Sequence, residues 1–309
     1  MSIRDLEKIW YGKFLLIIKR CFGADYAKNF DLKLRFHKKV NLKNPQSLAD
    51  KIIWIENHVE NQLTTDCSDK ILVREYVKEN GFADTLVPVF GTSYDNVENI
   101  PFNDLPDRCV IKANHGSKMN YFCNDKKLLD VKKCKKQLKK WLQMRYGSWS
   151  AEWHYLNIHP KIYIEHMLDD TDKMIDYKFH CMNGKPYFIL VMSNRDATSH
   201  ATMSMNIDLY DMNWENHNEF LCASNLETPG KGNIQKPQNF ERMVQMATTL
   251  SKDFAFVRVD LYEISGKLFF GELTFTPGAG LNPFLKDEFQ QKMGALLDIS
   301  VYQVIEKNK

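Results

Sequence analysis

The sequence predicts an α+β fold with a helical N-terminal region, and three observations carry that prediction. Over roughly the first sixty positions, apolar residues recur at helical spacings of three and four. Two later stretches form β-rich runs on either side of Asn183-Gly184 and Ser265-Gly266, dipeptides suited to tight hairpins. Such hairpins outnumber strand–helix–strand units, so mainly antiparallel sheets are expected.

Composition sets the outer limits. A chain of 309 residues has room for two domains, or for one large domain with subdomains. A hydrophobic share of 44% beside 26% charged residues excludes wholesale disorder. The net charge of +3 is too small to imply nucleic acid, and no basic stripe interleaved with aromatics reads as a base-contacting surface. Seven cysteines stand singly, at 21, 67, 109, 123, 134, 181 and 222, without a CxxC pair. That pattern favours reduced thiols in a cytoplasmic protein over a disulfide framework or a zinc knuckle. No internal repeat or low-complexity tract is present.

Taken in order, Leu6, Ile9, Trp10, Lys13, Phe14 and Ile17 trace a first helix. Its apolar cluster Phe14–Ile18 is closed at once by Lys19 and Arg20, whereas a spanning helix needs about 20 apolar residues. No small-residue cleavage site follows it either. Two readings of this helix stand: a core-facing helix, or one lying on a membrane surface with Trp10, Tyr11 and Phe14 at the interface. The second makes the protein peripheral at the inner face of the membrane. Asn44-Pro45 is a turn, after which Ser47 caps a helix through Ala49, Ile52, Ile53 and Ile55. Asp69–Asn80 fits another helix, stopped by Gly81.

The character then changes. Thr85–Phe90 is a β-rich run before Gly91, and Arg108–Lys112 a short strand before a polar, Gly-containing loop. Val131–Tyr146 is a basic helix with Val131, Cys134, Leu138, Trp141 and Leu142 on one side. Its six lysines are either a solvated face or an anion-binding patch. Lys161–Glu165 is a strand followed by the acidic turn Asp169-Asp170-Thr171-Asp172. Asp176–Met182 and Lys185–Met192 form the first hairpin. Residues 223–239 are rich in Gly, Pro and Asn without periodicity and read as a mobile loop, a common form of lid. Phe240–Lys252 is a helix with Met243, Met246, Ala247 and Leu250 inward, and Phe256–Ile264 with Lys267–Phe275 form the second hairpin.

The chemistry concentrates in that hairpin. Alternation puts Arg258 and Asp260 on one face of its first strand, and Glu272 and Thr274 on one face of its second. If these polar faces coincide, Asp260 and Glu272 oppose each other, a register that calls for a three-residue loop because a two-residue loop separates the faces. Two facing carboxylates repel unless a cation lies between them. Mg²⁺ suits the pair, since it takes one or two carboxylates and completes its shell with phosphate oxygens and water. Arg258 beside them is suited to clamp a carboxylate or phosphate. In the segment 109–120 a strand ends on Lys112 before a Gly-Ser loop, which suits a triphosphate. Two further segments join these: Ser68–Val77 with Lys70, and Lys161–Asp170 with the following hairpin, where Asp176 and Lys178 share a face.

These four segments, in this order from about Asn41 to Phe284, resemble the TupA-like branch of the ATP-grasp superfamily, named for teichuronopeptide biosynthesis. The resemblance implies an ATP-grasp fold of two α+β subdomains clasping ATP, here over 66–309 behind a helical region 1–65. It implies that Lys70 and Lys112 reach the ATP phosphates and that His115, Gly116 and Ser117 form the loop over them, His115 either touching phosphate or simply packing. Glu165, His166, Met167 and Leu168 match the hinge that holds adenine. Asp176 falls at a ribose-binding position, with Lys178 counted beside it in the nucleotide set. Asp260, Glu272 and Thr274 match the Mg²⁺ ligands, Thr274 standing where many members carry Asn.

The implied activity is a carboxylate–amine ligase that forms ADP by way of an acyl phosphate. Its expected partners are ATP, a carboxylate such as a glycan uronic acid, and an amine or amino acid, in capsular or surface polysaccharide biosynthesis. Lys112 and Arg258, with Arg195 and His200, are the residues expected at the reacting groups, although Arg195 and His200 equally suit a surface loop. A kinase on the same fold, a glycosyltransferase and a non-catalytic nucleotide-binding module are the alternatives.

Overall fold

The computed structural model describes residues 3–168, 174–193, 205–222, 227–300 and 302. Arg195, His200 and the acidic turn 169–172 lie outside them. In chain order come α1 (Ile3–Phe22), α2 (Ala24–Phe36), α3 (Leu48–His58), α4 (Gln62–Ser68) and α5 (Val73–Glu79). Next are β1 (Val89–Tyr94), β2 (Cys109–Ala113), β3 (Asn120–Cys123), α6 (Val131–Leu142), α7 (Tyr146–Ser150) and β4 (Ile162–His166). The remainder holds β5 (Ile175–Met182), β6 (Lys185–Ser193), β7 (Met205–Asp211), β8 (Glu227–Pro229), α8 (Phe240–Ser251), β9 (Phe256–Ile264), β10 (Lys267–Thr274) and α9 (Asp287–Leu296).

The chain divides into two compact units. The first comprises Met1–Lys39, Asn61–Tyr76 and Leu86–Asp169; the second comprises Val40–Glu60, Val77–Thr85 and Asp170–Lys309. The helices expected to make one N-terminal region, 1–65, are therefore shared between the units.

In the first unit a four-stranded antiparallel sheet runs β1-β4-β2-β3. Cys109, Ile111 and Ala113 of β2 and Ile162 and Ile164 of β4 share a core with Cys134, Leu138 and Trp141 of α6. Each large side chain buried there contributes about 2 kcal/mol. The alternate residues, Val110, Lys112, Tyr163 and Glu165, take the opposite face. On α6, Asp130 caps the first turn (2.9 Å to the Lys133 N–H), and Lys135 and Lys139 each reach Glu98 at 2.6 Å. These hydrogen bonds, from Lys135 first, lower the Glu98 pKa to about 2. The α1–α2 pair packs on α7 through Leu15, Ile18 and Ala27, with Ala151 and Trp153.

In the second unit a six-stranded sheet runs β10-β9-β5-β6-β7-β8, antiparallel except for the parallel β7–β8 pair. Met243, Met246, Ala247 and Leu250 of α8 are buried as the sequence predicts. The Cys181 thiol on β5 lies 3.8 Å from the Ala247 carbonyl, so α8 covers the face of the sheet that carries Phe179 and Cys181. On α3, Ser47 and Asp50 form the reciprocal cap. The helix meets α9 closely, because a Cβ on Gly294 would stand 2.1 Å from the Gln46 carbonyl oxygen.

Five local expectations are corrected. The helix expected from Asp69 begins at Val73, because the Asp69 carboxylate accepts the N–H groups of Ile71 (2.7 Å) and Leu72 (3.3 Å) and holds a turn instead. The strand expected at Thr85–Phe90 begins at Val89 and continues through Gly91, whose φ of 65° admits an irregularity in the pairing. The loop expected at 223–239 holds β8 in its described part. Gly230 N–H bonds Ile207 O (2.8 Å), Gly232 N–H bonds Asp208 Oδ1 (2.7 Å), and Ile234 N–H bonds the Tyr210 hydroxyl (2.9 Å). Strands β3 and β7 were not expected at all.

The fifth correction concerns the second hairpin, which turns through only two residues, Ser265 and Gly266, at φ 50° and 74°. Lys267 pairs with Ile264, and that count would place Gly271 opposite Asp260. A bulge at Gly271 takes up the extra residue, so that Glu272 pairs with Asp260 and Thr274 with Arg258. The coincident faces are reached by a bulge rather than by a longer loop.

Candidate functional site

On the face of its sheet away from α6 the first unit carries a charged cluster. Lys112 at the end of β2 donates to Glu165 at the end of β4. Register explains the contact: Lys112 pairs with Tyr163, so Glu165 is the next side chain on that face. Arg74 of α5 lies 3.6 Å from the other oxygen of Glu165 and donates to Val87 O at 2.8 Å. His166 and Met167 continue the chain, their N–H groups bonded to Pro88 O (3.0 Å) and Arg108 O (3.4 Å). Met167 and Leu168 are half-buried, and His166 is exposed.

Lys70 is brought to the same strand end by its backbone, because its N–H bonds the Asn114 carbonyl at 3.1 Å. Asn114 is wholly buried and organises the turn. Its Nδ2 donates to Asp69 (2.7 Å) and to His159 O (3.0 Å), while its Oδ1 accepts the Lys161 N–H (2.7 Å). Burial raises the Asp69 pKa against these donors. The neighbouring His115 faces inward. Its Nε2 stands 3.1 Å from both Trp141 O and Met144 O, the carbonyls at the end of α6. Burial first, with the nearby Lys70 charge among the smaller causes, holds its pKa below the ordinary histidine value. Of the two readings of His115, phosphate contact or packing, the geometry matches packing, because the ring is committed to the interior. Gly116 is buried against the Tyr146 ring, and Ser117 is the exposed member of the three.

The second unit carries the denser cluster, a ladder across three strands. One row pairs Lys178 of β5 with Asp260 of β9 and Glu272 of β10; the next pairs His180, Arg258 and Thr274. Lys178 Nζ donates to Asp260 Oδ2 at 2.6 Å and lies 3.6 Å from Asp176. Arg258 grips Asp260 with both arms, Nε to Oδ1 at 2.7 Å and Nη2 to Oδ2 at 2.6 Å. The same guanidinium bonds Thr274 Oγ1 (3.1 Å) and lies 3.6 Å from Glu272, to which Thr274 donates at 3.1 Å. Burial opposes the Arg258 charge, but Asp260 outweighs it and the pKa rises.

Asp176, Asp260 and Glu272 alternate with Lys178 and Arg258, so the face is net negative by one charge. Its oxygen donors, two opposed carboxylates and the Thr274 hydroxyl, fit a hard divalent cation such as Mg²⁺. Each carboxylate oxygen has two lone pairs, so the bonds from Arg258 and Lys178 leave capacity on Asp260.

Four residues escaped the sequence reading. Nothing in the spacing marks Arg74, Asp69 or Asn114, because their roles come from tertiary contacts. His180 was legible, for it continues the Asp176–Lys178 alternation by one step. It is wholly buried and stacked on Phe188 at 4.2 Å, and burial, then the Arg258 charge, drives its pKa well below the ordinary value.

The family model described as TupA-like ATPgrasp matches residues 50–298. The chain therefore belongs to the TupA-like ATP-grasp family and has the α+β ATP-grasp fold. A search of curated proteins finds no match. Among solved structures it is similar to D-alanine–D-alanine ligase from Bacillus anthracis, at 16% identity over 78% of this chain and 69% of that one, TM-score 0.46. The same ligase complexed with ATP matches at 16% identity over 93% and 78%, TM-score 0.45. Phosphoribosylamine–glycine ligase from Thermotoga maritima matches at 12% identity over 78% of this chain and 54% of its own length, TM-score 0.43.

Proposed function

We propose that this chain is an ATP- and Mg²⁺-dependent carboxylate–amine ligase that forms ADP by way of an acyl phosphate. The observation that carries the reading is the Asp260–Glu272 pair, set in one register beside Arg258 and Lys178. Membership of the TupA-like ATP-grasp family supports it, and the proposed body of the enzyme runs over 66–309. Asp260, Glu272 and Thr274 would hold Mg²⁺, which supplies neutralising charge to the phosphate being transferred. Lys70 and Lys112 take the phosphates as point charges, with Ser117 the exposed member of the loop beside them. Glu165, His166, Met167 and Leu168 offer backbone and side-chain groups to adenine, and Asp176 accepts from ribose.

In the proposed reaction a substrate carboxylate oxygen attacks the γ-phosphorus and ADP leaves. The amine then attacks the acyl carbon, giving up a proton, and phosphate leaves. Arg258 is assigned to the carboxylate or acyl phosphate because a guanidinium presents paired N–H donors matched to such oxygens and this one stands beside the proposed Mg²⁺ ligands; Arg195 and His200 share that assignment. The chemistry is positioning and charge stabilisation and requires no protein nucleophile. For substrate we propose a uronic acid of a surface or capsular polysaccharide, joined to an amino acid or other amine in the cytoplasm. The test is hydroxylamine trapping with ATP, Mg²⁺ and a panel of uronic and amino acids. A hydroxamate formed together with ADP is the expected product. A phosphate ester stable to hydroxylamine would overturn the ligase in favour of a kinase.

A further inference from the structure

Helix α1 carries two apolar faces, where a helix packed on a protein core needs one. Tyr11, Leu15 and Ile18 meet the core of the first unit, while Trp10, Phe14, Ile17 and Cys21, spaced four, three and four apart, point outward. Trp10 is 68% exposed and Ile17 61%. The outward stripe continues onto α2. The rings of Phe14 and Phe30 meet edge to face at 5.8 Å, and those of Phe22 and Tyr26 meet across the Gly23 turn at 5.1 Å. Among the described residues, seven of the thirteen exposed large apolar side chains lie on these two helices, which makes one patch rather than scatter.

The charge around the patch says what covers it. Residues 1–39 hold ten Lys and Arg against four Asp and Glu, a net +6, so the rest of the chain is net −3 within the overall +3. Lys13, Arg20 and Lys33 stand exposed at the border of the stripe, with Lys13 Nζ 5.2 Å from the centre of the Trp10 ring. Aromatic side chains ringed by basic ones match the boundary between headgroups and acyl chains. Neither helix is long and apolar enough to cross a membrane.

We infer that the α1–α2 pair docks the protein on an anionic phospholipid bilayer, its aromatic stripe entering the headgroup region and its lysines pairing with lipid phosphate. The inference is independent of the chemistry proposed for the sheets. It puts the enzyme beside lipid-linked or membrane-associated anionic acceptors.

The test is co-sedimentation of the full chain with vesicles of phosphatidylcholine alone and of phosphatidylcholine with phosphatidylglycerol. Binding should be at least about tenfold tighter to the anionic vesicles and should weaken as salt rises. Phe14→Gln with Ile17→Gln, and separately Lys13→Glu with Lys33→Glu, should each lower it by about tenfold or more. All four positions are exposed, so each variant should stay folded, the Phe14/Ile17 pair losing at most a few degrees in melting temperature with the Phe14–Phe30 contact. Equal binding to both vesicle types, or binding unchanged by either pair of substitutions, would overturn the inference. So would a dimer in the absence of lipid that the Phe14/Ile17 pair converts to monomer, because the patch would then belong to a second copy.

Discussion

The two charged clusters are built by different local rules. On β2 and β4 plain alternation suffices: Lys112 and Glu165 reach one face with no irregularity between them. On β9 and β10 alternation alone fails, and the bulge at Gly271 is what turns Glu272 toward Asp260. A regular strand pair passes its pattern directly to its surface. A bulged pair can place two carboxylates together at a position where the regular count would separate them, and such irregularities recur beside active sites.

The largest effect is expected from the regular cluster. Lys112→Met should lower ATP turnover by about 10²-fold, measured by ADP release, because a compact cation at the phosphates is lost. Unchanged turnover would leave Lys112 as a structural partner of Glu165. Asn114→Ala breaks the turn behind the same cluster. It removes three short side-chain hydrogen bonds in a wholly buried place and should cost about 3 kcal/mol in a denaturant titration.

The bulged cluster is tested at Gly271. A Cβ there would meet the Asp260 carbonyl oxygen at 2.9 Å, so Gly271→Ala should cost about 1–3 kcal/mol. Its activity should fall further than its stability at temperatures where the variant stays folded. A variant with wild-type stability and activity would mean that the bulge relaxes freely.

The smallest expected effect is a pH dependence. An unfolded histidine titrates near about 6.5, and folded His180 titrates well below its ordinary value. As pH falls below about 6.5 the unfolded chain takes up a proton that the folded chain refuses, so stability is lost with acidification. The slope is at most about 1.4 kcal/mol per pH unit for each such histidine. His115 adds to it with the same sign. His180→Gln should flatten the dependence of the urea midpoint on pH between about 7 and 5.5 relative to wild type. An identical slope in the variant would show that His180 does not titrate as described.

Much of this was legible in the sequence, and the failures have physical causes. The Asn183-Gly184 and Ser265-Gly266 turns were readable because positive φ at both central positions restricts the residues that fit. Cys134, Leu138 and Trp141 of α6 and the inward residues of α8 were readable from the amphipathic period, while Val131, expected on the same side of α6, is exposed at the first turn of the helix. The strand at β1 and the helix start at Val73 were misplaced because Gly91 and Asp69 act through local exceptions to propensity. Asp176 with Lys178, Arg258 with Asp260, and Glu272 with Thr274 were each readable as a pair on one face of a strand because alternation groups them, whereas the meeting of Glu272 with Asp260 depends on the bulge at Gly271. Asn114 and Arg74 were missed because what they hold lies tens of residues away in sequence or in a neighbouring loop.

The most direct test of the central claim is the Mg²⁺ dependence of ATP binding, measured by calorimetry on the wild type and on Asp260→Asn and Glu272→Gln. Mg²⁺ should tighten ATP binding in the wild type by about tenfold or more, and each variant should lose that gain while binding ATP alone as before. ATP affinity that is the same with and without Mg²⁺ in the wild type, or a gain that survives in both variants, would contradict it.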